Sequence, residues 1–151
     1  MSIRRLVLAT MVVGAVAGGF TPSLAATAKP PKVKVQLIEF QINPALQFVA
    51  KGKINFAVTN AGTEKHEFVI VRGADPAALP TKADRSVDEK QIPKRDEVGE
   101  LENIKKGTTK SKTFKLSAGS YILLCNTVDT EEDGSVVSHF ARGMSTTINA
   151  S

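Results

Sequence analysis

The sequence predicts an all-β domain, a sandwich or barrel built from short strands. Three observations support this. Apolar and β-branched residues alternate with polar ones in short runs along most of the chain after residue 32. Turn residues such as Asn60-Ala61-Gly62 and Ala118-Gly119 interrupt these runs. The chain has 151 residues, of which 42% are hydrophobic and 23% charged, so a single globular domain suffices.

The N-terminus is typical of a secretory signal peptide, which we predict over residues 1–25. Arg4 and Arg5 give a positive start, an apolar run of 15 residues follows, and Ser23-Leu24-Ala25 offers small residues for cleavage. A membrane span needs about 20 apolar residues, so an uncleaved anchor is the weaker alternative. We therefore expect a periplasmic protein with a linker at 26–32 and one domain at 33–151.

Strands are predicted wherever the alternation is clear. In the first of them, Val33, Val35 and Leu37 share one face, and Phe114 and Leu116 do the same near the C-terminus. The predicted strands, including one edge strand between 99 and 107, are 33–40, 53–60, 66–72, 99–107, 109–117, 120–126 and 144–150.

The stretch Gly73–Val98 does not follow the strand pattern and is predicted to be a long, mostly irregular segment between strands, called the excursion below. It is polar and contains three prolines. Asp75 followed by Pro76 is typical of an N-cap and a first helical position, so the excursion is expected to hold one short helix. A group of lysines further along is expected to form a solvated strand edge that opposes edge pairing. These are Lys105, Lys106, Lys110 and Lys112.

Composition excludes some functions. The formal net charge is +5, but the lysines are interleaved with acidic residues, and basic patches with neighbouring aromatics are missing. Nucleic acid is therefore not an expected partner. No credible Ser-His-Asp arrangement can be drawn from the sequence. The protein is predicted not to be an enzyme.

The strand pattern places three of the chain's few soft ligands at one end of the predicted fold. Cys125, the only cysteine, ends one predicted strand, His139 lies in the next loop, Met144 begins the last strand, and His66 heads an earlier one. A lone cysteine in an exported protein is an intermolecular disulfide, a free thiol or a metal ligand. Two imidazoles, a thiolate and a thioether suit a trigonal copper site, whereas zinc normally lacks a thioether ligand.

These residues resemble the ligand set of the cupredoxins, the small blue copper proteins. His66 lies in NAGTEKHEF, and the other three lie in YILLCN and SHFARGM. The similarity covers roughly residues 33–151 and implies a Greek-key β-sandwich or barrel. It implies one copper ion, held by His66, Cys125 and His139 with Met144 as axial ligand. The protein would then be a monomeric one-electron carrier, cycling between Cu(II) and Cu(I), for partners such as a cytochrome or a respiratory complex.

The resemblance also implies a docking surface and shows a departure. In the family the C-terminal histidine ligand reaches the surface inside an apolar patch, here expected around His139, Phe140 and Ala141, with Pro44–Leu46 beside it. Thirteen residues separate Cys125 from His139, a much longer spacing than the family has. This acidic insert, with Asp129, Glu131, Glu132 and Asp133, is expected to be a loop. It is a solvated face, a surface that steers a basic partner or, as the weakest alternative because its spacing does not follow an EF-hand loop, a site for a hard cation such as Ca²⁺.

Two other functions compete with electron transfer. The first is copper delivery or storage in the periplasm, although the chain has no Met- or His-rich segment. The second is copper-dependent catalysis, but multicopper enzymes need more histidines than the two present. Taken singly, each of the four residues also has a plain structural interpretation. Cys125 and Met144 would be core residues, His66 a turn residue, and His139 a surface loop residue.

Overall fold

Residues 28–151 are described by a computed structural model, and almost all of their regular structure is strand. The predicted signal peptide lies outside the described residues. The strands are β1 (Lys32–Ile38), β2 (Gln41–Pro44), β3 (Phe48–Val49), β4 (Gly52–Asn60), β5 (His66–Arg72), β6 (Glu97–Ile104), β7 (Thr109–Leu116), β8 (Gly119–Leu124), β9 (Val128–Thr130), β10 (Val136–Ser138) and β11 (Ser145–Ala150).

Two sheets form the sandwich. One has the order β2-β1-β4-β7 and the other β3-β11-β8-β5-β6. The β1–β4 and β3–β11 pairs are parallel, and the remaining pairs in these sheets are antiparallel. Strands β9 and β10 form a separate hairpin. The all-β sandwich prediction is therefore confirmed, as is the edge strand, because β6 is the outermost strand of its sheet.

The main core fills the space between the two sheets, as the alternation predicts. Val33, Val35 and Leu37 of β1 are all buried there. Phe56 lies between two other rings, with centroids 5.7 Å from Phe68 and 6.0 Å from Phe114. Three of the four predicted copper ligands lie at or beside this core. Cys125 and Met144 belong to it, and His66, at the start of β5, is fully buried.

The excursion from Gly73 to β6 covers the outer face of the second sheet. Val87 and Ile92 are buried against apolar side chains of β5 and β8, including Val71 and Ile122. Strand β5 is therefore covered on both faces, which explains its nearly continuous apolar sequence.

The predicted short helix is confirmed as a 3₁₀ helix at Pro76–Ala78. The Asp75 carboxylate accepts a hydrogen bond from Ala77 N at 2.9 Å, as expected of an N-cap. A second 3₁₀ helix at Glu89–Gln91 was not predicted. Among residues 28–151, no helix has the length and apolar character needed to cross a membrane.

The predicted lysine edge joins the two sheets along one side. Lys110 Nζ donates to Glu102 O at 2.8 Å, and Lys112 Nζ donates to Glu100 O at 3.1 Å. These bonds link β7, the outer strand of the first sheet, to β6, the outer strand of the second. Lys110 and Lys112 thus lie on an exposed strand edge, as expected, and they also contact the neighbouring edge, whereas Lys105 and Lys106 lie in the exposed turn between β6 and β7.

Candidate metal centre

Strand ends bring the predicted ligands to one end of the sandwich. His66 begins β5 and Cys125 directly follows β8, the neighbouring antiparallel strand, so both lie at the same end of that sheet. His139 follows β10, and Met144 directly precedes β11. Backbone hydrogen bonds connect three of these residues, because Cys125 N donates to Met144 O and Met144 N donates to His139 O, each at 3.0 Å.

Three side-chain donor atoms converge on one point. The Nδ1 atoms of His66 and His139 are 3.1 Å apart, and Cys125 Sγ lies 3.9 Å from the first and 3.5 Å from the second. All three side chains are fully buried. Met144 is also buried, and its backbone bonds to both Cys125 and His139. Its role as axial ligand stays a prediction.

The spacing of these atoms fits a single metal ion. At trigonal angles, bonds of about 2.0 Å to nitrogen and about 2.3 Å to sulfur would separate two nitrogens by about 3.5 Å and each nitrogen from the sulfur by about 3.7 Å. The three observed distances lie within a few tenths of an ångström of these values. Imidazole, thiolate and thioether are the donor set that copper accepts, so the residues fit one copper ion.

The environment of Cys125 keeps its thiol protonated unless a cation is present. Burial raises the pKa of Cys125. A hydrogen bond from Glu67 N at 3.4 Å and the Thr127 hydroxyl 3.3 Å from Sγ act in the opposite direction without cancelling that effect. A bound metal cation would supply the missing stabilisation of the thiolate.

His66 is held in the neutral form that a ligand needs. Burial, and then the nearby His139, lower the pKa of His66. The loop before it is tied down by Glu39, whose carboxylate accepts bonds from Thr63 N and, at 3.1 Å, from Glu64 N. These hydrogen bonds lower the pKa of Glu39 to about 2, and the one from Thr63 N has the largest effect. Sequence reasoning did not find Glu39, which lies 3.7 Å from His66 Nε2.

The expectation that His139 reaches the surface is wrong. Its side chain is fully buried, Nε2 lies 2.8 Å from Asp129 Oδ2, and the ring of Phe40 packs edge-on with centroids 5.5 Å apart. Phe40 has a φ of 60°, which few aromatic residues adopt, and it occupies the tight turn between β1 and β2. Phe140 and Ala141 are half-buried beside His139.

The acidic insert is folded, so the loop expectation is also wrong. Thirteen residues are enough to form the β9–β10 hairpin, in which Thr130 pairs with Val136 and Asp129 with Val137. Side chains alternate between the two faces of a strand. Asp129 therefore faces His139, whereas Val128 and Val136 lie on the opposite face and are exposed.

The excursion is anchored beside the metal centre by Asn126. Its Oδ1 accepts from Val87 N at 2.6 Å, and its Nδ2 donates to Val87 O at 3.0 Å and to Glu89 Oε1 at 2.7 Å. Its backbone N donates to Glu67 Oε1 at 2.8 Å. The residue after Cys125 is thus fixed from two sides. The one sequence signal that could have indicated this anchoring role is the position of Asn126 directly after the cysteine.

Comparison with known proteins identifies the fold. No protein-family model matches the chain, and no curated protein is significantly similar to it. Among solved structures, the reduced auracyanin of Roseiflexus castenholzii is 19% identical with a TM-score of 0.59, over 82% of this chain and 99% of that one. Auracyanin A from Chloroflexus aurantiacus, described as a "blue" copper protein, is 16% identical with a TM-score of 0.55, over 82% and 100%.

The azurin Az-iso2 of Methylomonas sp. strain J is 17% identical with a TM-score of 0.52, over 80% of this chain and 98% of that one. Auracyanins and azurins are cupredoxins. The chain therefore has the cupredoxin fold, and its candidate ligands lie together at one end of that fold.

Proposed function

We propose that the protein is an exported blue copper protein that carries single electrons between protein partners. The observation that carries this proposal is the convergence of two imidazole nitrogens and one thiol sulfur, all fully buried, in a cupredoxin fold. His66, Cys125 and His139 would hold the ion, with Met144 as a fourth ligand. When bound, copper supplies a one-electron couple between Cu(II) and Cu(I).

The chain contributes a rigid and dry environment for that couple. The ligands come from strand ends and from a loop closed by backbone bonds, so their positions are set by the sandwich. Full burial of His66, Cys125 and His139 keeps bulk water away from the three donor atoms. Such burial supports a carrier better than an enzyme, because a substrate would need an open position at the metal.

The docking surface would be the outer face of the β9–β10 hairpin. The hairpin contacts His139 through Asp129, and Val128 and Val136 on its opposite face are 37% and 56% exposed. The turn at one end of the hairpin carries the exposed acidic residues Glu131, Glu132 and Asp133. An apolar face next to an acidic turn suits a basic redox partner such as a cytochrome, because complementary charge speeds encounter. The carrier would act as a monomer in the periplasm, to which residues 1–25 would direct it.

Spectroscopy and voltammetry of the copper-loaded protein test this function. We expect an intense blue thiolate-to-copper band, a narrow copper hyperfine splitting and a reversible one-electron couple. Cys125→Ser should abolish the band because it removes the thiolate. Met144→Gln should shift the band without abolishing it, because an axial ligand tunes the site. A colourless product would contradict the proposal, and ready copper transfer to an acceptor without a reversible couple would indicate delivery or storage instead.

A further inference from the structure

We infer that Asp129 is a positioning residue that fixes the tautomer and orientation of His139. Its carboxylate accepts a hydrogen bond from His139 Nε2–H, which leaves Nδ1 unprotonated and directed at the candidate metal position. The effect on the imidazole does not depend on copper. The effect on the redox couple rests on the proposed function.

The geometry around His139 leaves one consistent assignment for a neutral ring. Nε2 lies 2.8 Å from Asp129 Oδ2, a hydrogen-bond distance, and an ionised carboxylate can only accept. Nε2 must then carry the proton, so the lone pair is on Nδ1. That atom faces Cys125 Sγ at 3.5 Å and His66 Nδ1 at 3.1 Å, which are the other candidate donors.

The hairpin is what places the carboxylate there. Asp129 is the central residue of β9, and its partner Val137 is the central residue of β10. A bond from His139 N to Thr127 O, at 3.0 Å, closes the base of the hairpin beside the ring. The insert that separates Cys125 from His139 therefore supplies an orienting group for one of the two residues it separates.

The contact is specific to one of the two histidines. His66 Nε2 has no hydrogen-bond partner among the described residues, and Glu39 Oε1 lies 3.7 Å away. One other carboxylate faces His139, because Glu64 Oε2 lies 3.6 Å from Nε2, beyond hydrogen-bond distance. Asp129 is thus the group that can hold the His139 proton in place.

A carboxylate bound to the remote nitrogen makes an imidazole a stronger donor and favours the more highly charged metal ion. Removing such an orienting group typically weakens metal binding about 10- to 100-fold. If Asp129→Asn weakens binding of Cu(II) about tenfold relative to Cu(I), the reduction potential rises by about 59 mV, the one-electron equivalent of a factor of ten.

The tautomer is tested first, on the metal-free protein, by NMR of ¹⁵N-labelled histidine. We expect His139 in the native protein to carry its proton on Nε2. Asp129→Ala should allow the Nδ1–H form to appear. Glu132→Gln, which removes the same charge from the exposed turn of the same hairpin, should leave the native pattern unchanged. A native His139 protonated on Nδ1, or an unchanged pattern in Asp129→Ala, would overturn the inference even if a blue copper site forms.

The potential is tested next, on the copper-loaded variants. Asp129→Asn should raise it by about 59 mV. Glu132→Gln should shift it far less, and Asp129→Glu should restore most of the native value. Equal shifts in Asp129→Asn and Glu132→Gln would show a general charge effect and refute positioning. If copper gives no blue site at all, the proposed function fails, and the NMR result decides the positioning role alone.

Discussion

Substituting Asn60 by alanine should destabilise the protein more than the loss of one polar surface residue would. Asn60 ends β4 and is fully buried. Its Nδ2 donates to Glu64 O at 2.6 Å and to Ile104 O at 2.8 Å, and its Oδ1 accepts from Gly62 N at 2.9 Å. One side chain thus joins the turn before His66 to the end of β6.

The magnitude follows from these three bonds. A typical hydrogen bond contributes about 1 kcal/mol net, and a buried group left without a partner costs about 1–3 kcal/mol. Asn60→Ala removes the side-chain partner of two carbonyls and one amide. Water can reach the Glu64 carbonyl more readily than that of Ile104, because Glu64 is exposed and Ile104 is fully buried. We expect the free energy of unfolding to fall by about 3–4 kcal/mol.

Urea denaturation of the metal-free protein measures this loss. Asn55→Ala is the matched control, because Asn55 lies on the same strand and makes one exposed side-chain bond, to Thr113 Oγ1 at 3.2 Å. That control should cost about 0.5 kcal/mol or less. Asn60→Asp, which keeps the shape but places a carboxylate against the carbonyls of Glu64 and Ile104, should cost at least as much as Asn60→Ala. A loss below about 1 kcal/mol for Asn60→Ala, or equal losses at both sites, would refute the reasoning.

Two further substitutions test the packing by the same unfolding measurement. Val87→Ala should lower the free energy of unfolding by about 2 kcal/mol, because it removes buried methyl groups from the contact between the excursion and the sheet. Val136→Ala is the control and should leave the free energy of unfolding almost unchanged, because Val136 is exposed. A negligible loss at Val87 would mean that the excursion does not stabilise the sheet. Gly99→Ala should cost about 1–2 kcal/mol, because Gly99 has a φ of +135° and an added Cβ would lie 3.1 Å from Phe114 Cε1. An unchanged stability there would contradict the left-handed backbone of β6.

Most of the sandwich could be predicted because strands buried on one face alternate visibly, as β1 does at Val33, Val35 and Leu37. The short strands β2, β3, β9 and β10 could not, since two to four residues carry too little pattern. The acidic hairpin was mistaken for a loop because its strands have three residues each and its contacts, such as that of Asp129 with His139, form only in the folded chain. Its polar sequence does not show those contacts.

The candidate ligands could be identified because the chain has so few soft donors, and their order along it is informative. The groups that orient them could not. Glu39 acts on a backbone amide 24 residues away, and Asn126 binds Val87, 39 residues away. Asp129 looks like any other acid in its segment. Only the fold shows that it lies against His139 while Glu132 does not.

The lysine contacts between β6 and β7 affect how copies of the protein meet. Unpaired carbonyls on an outer strand are the acceptors that a strand from another molecule would use. Here the carbonyls of Glu100 and Glu102 already accept from Lys112 and Lys110. A second chain would have to displace two ammonium groups and bring its own backbone against their charge. This side of the sandwich therefore disfavours the edge-to-edge association that leads to aggregation, which would suit the diffusing carrier proposed above.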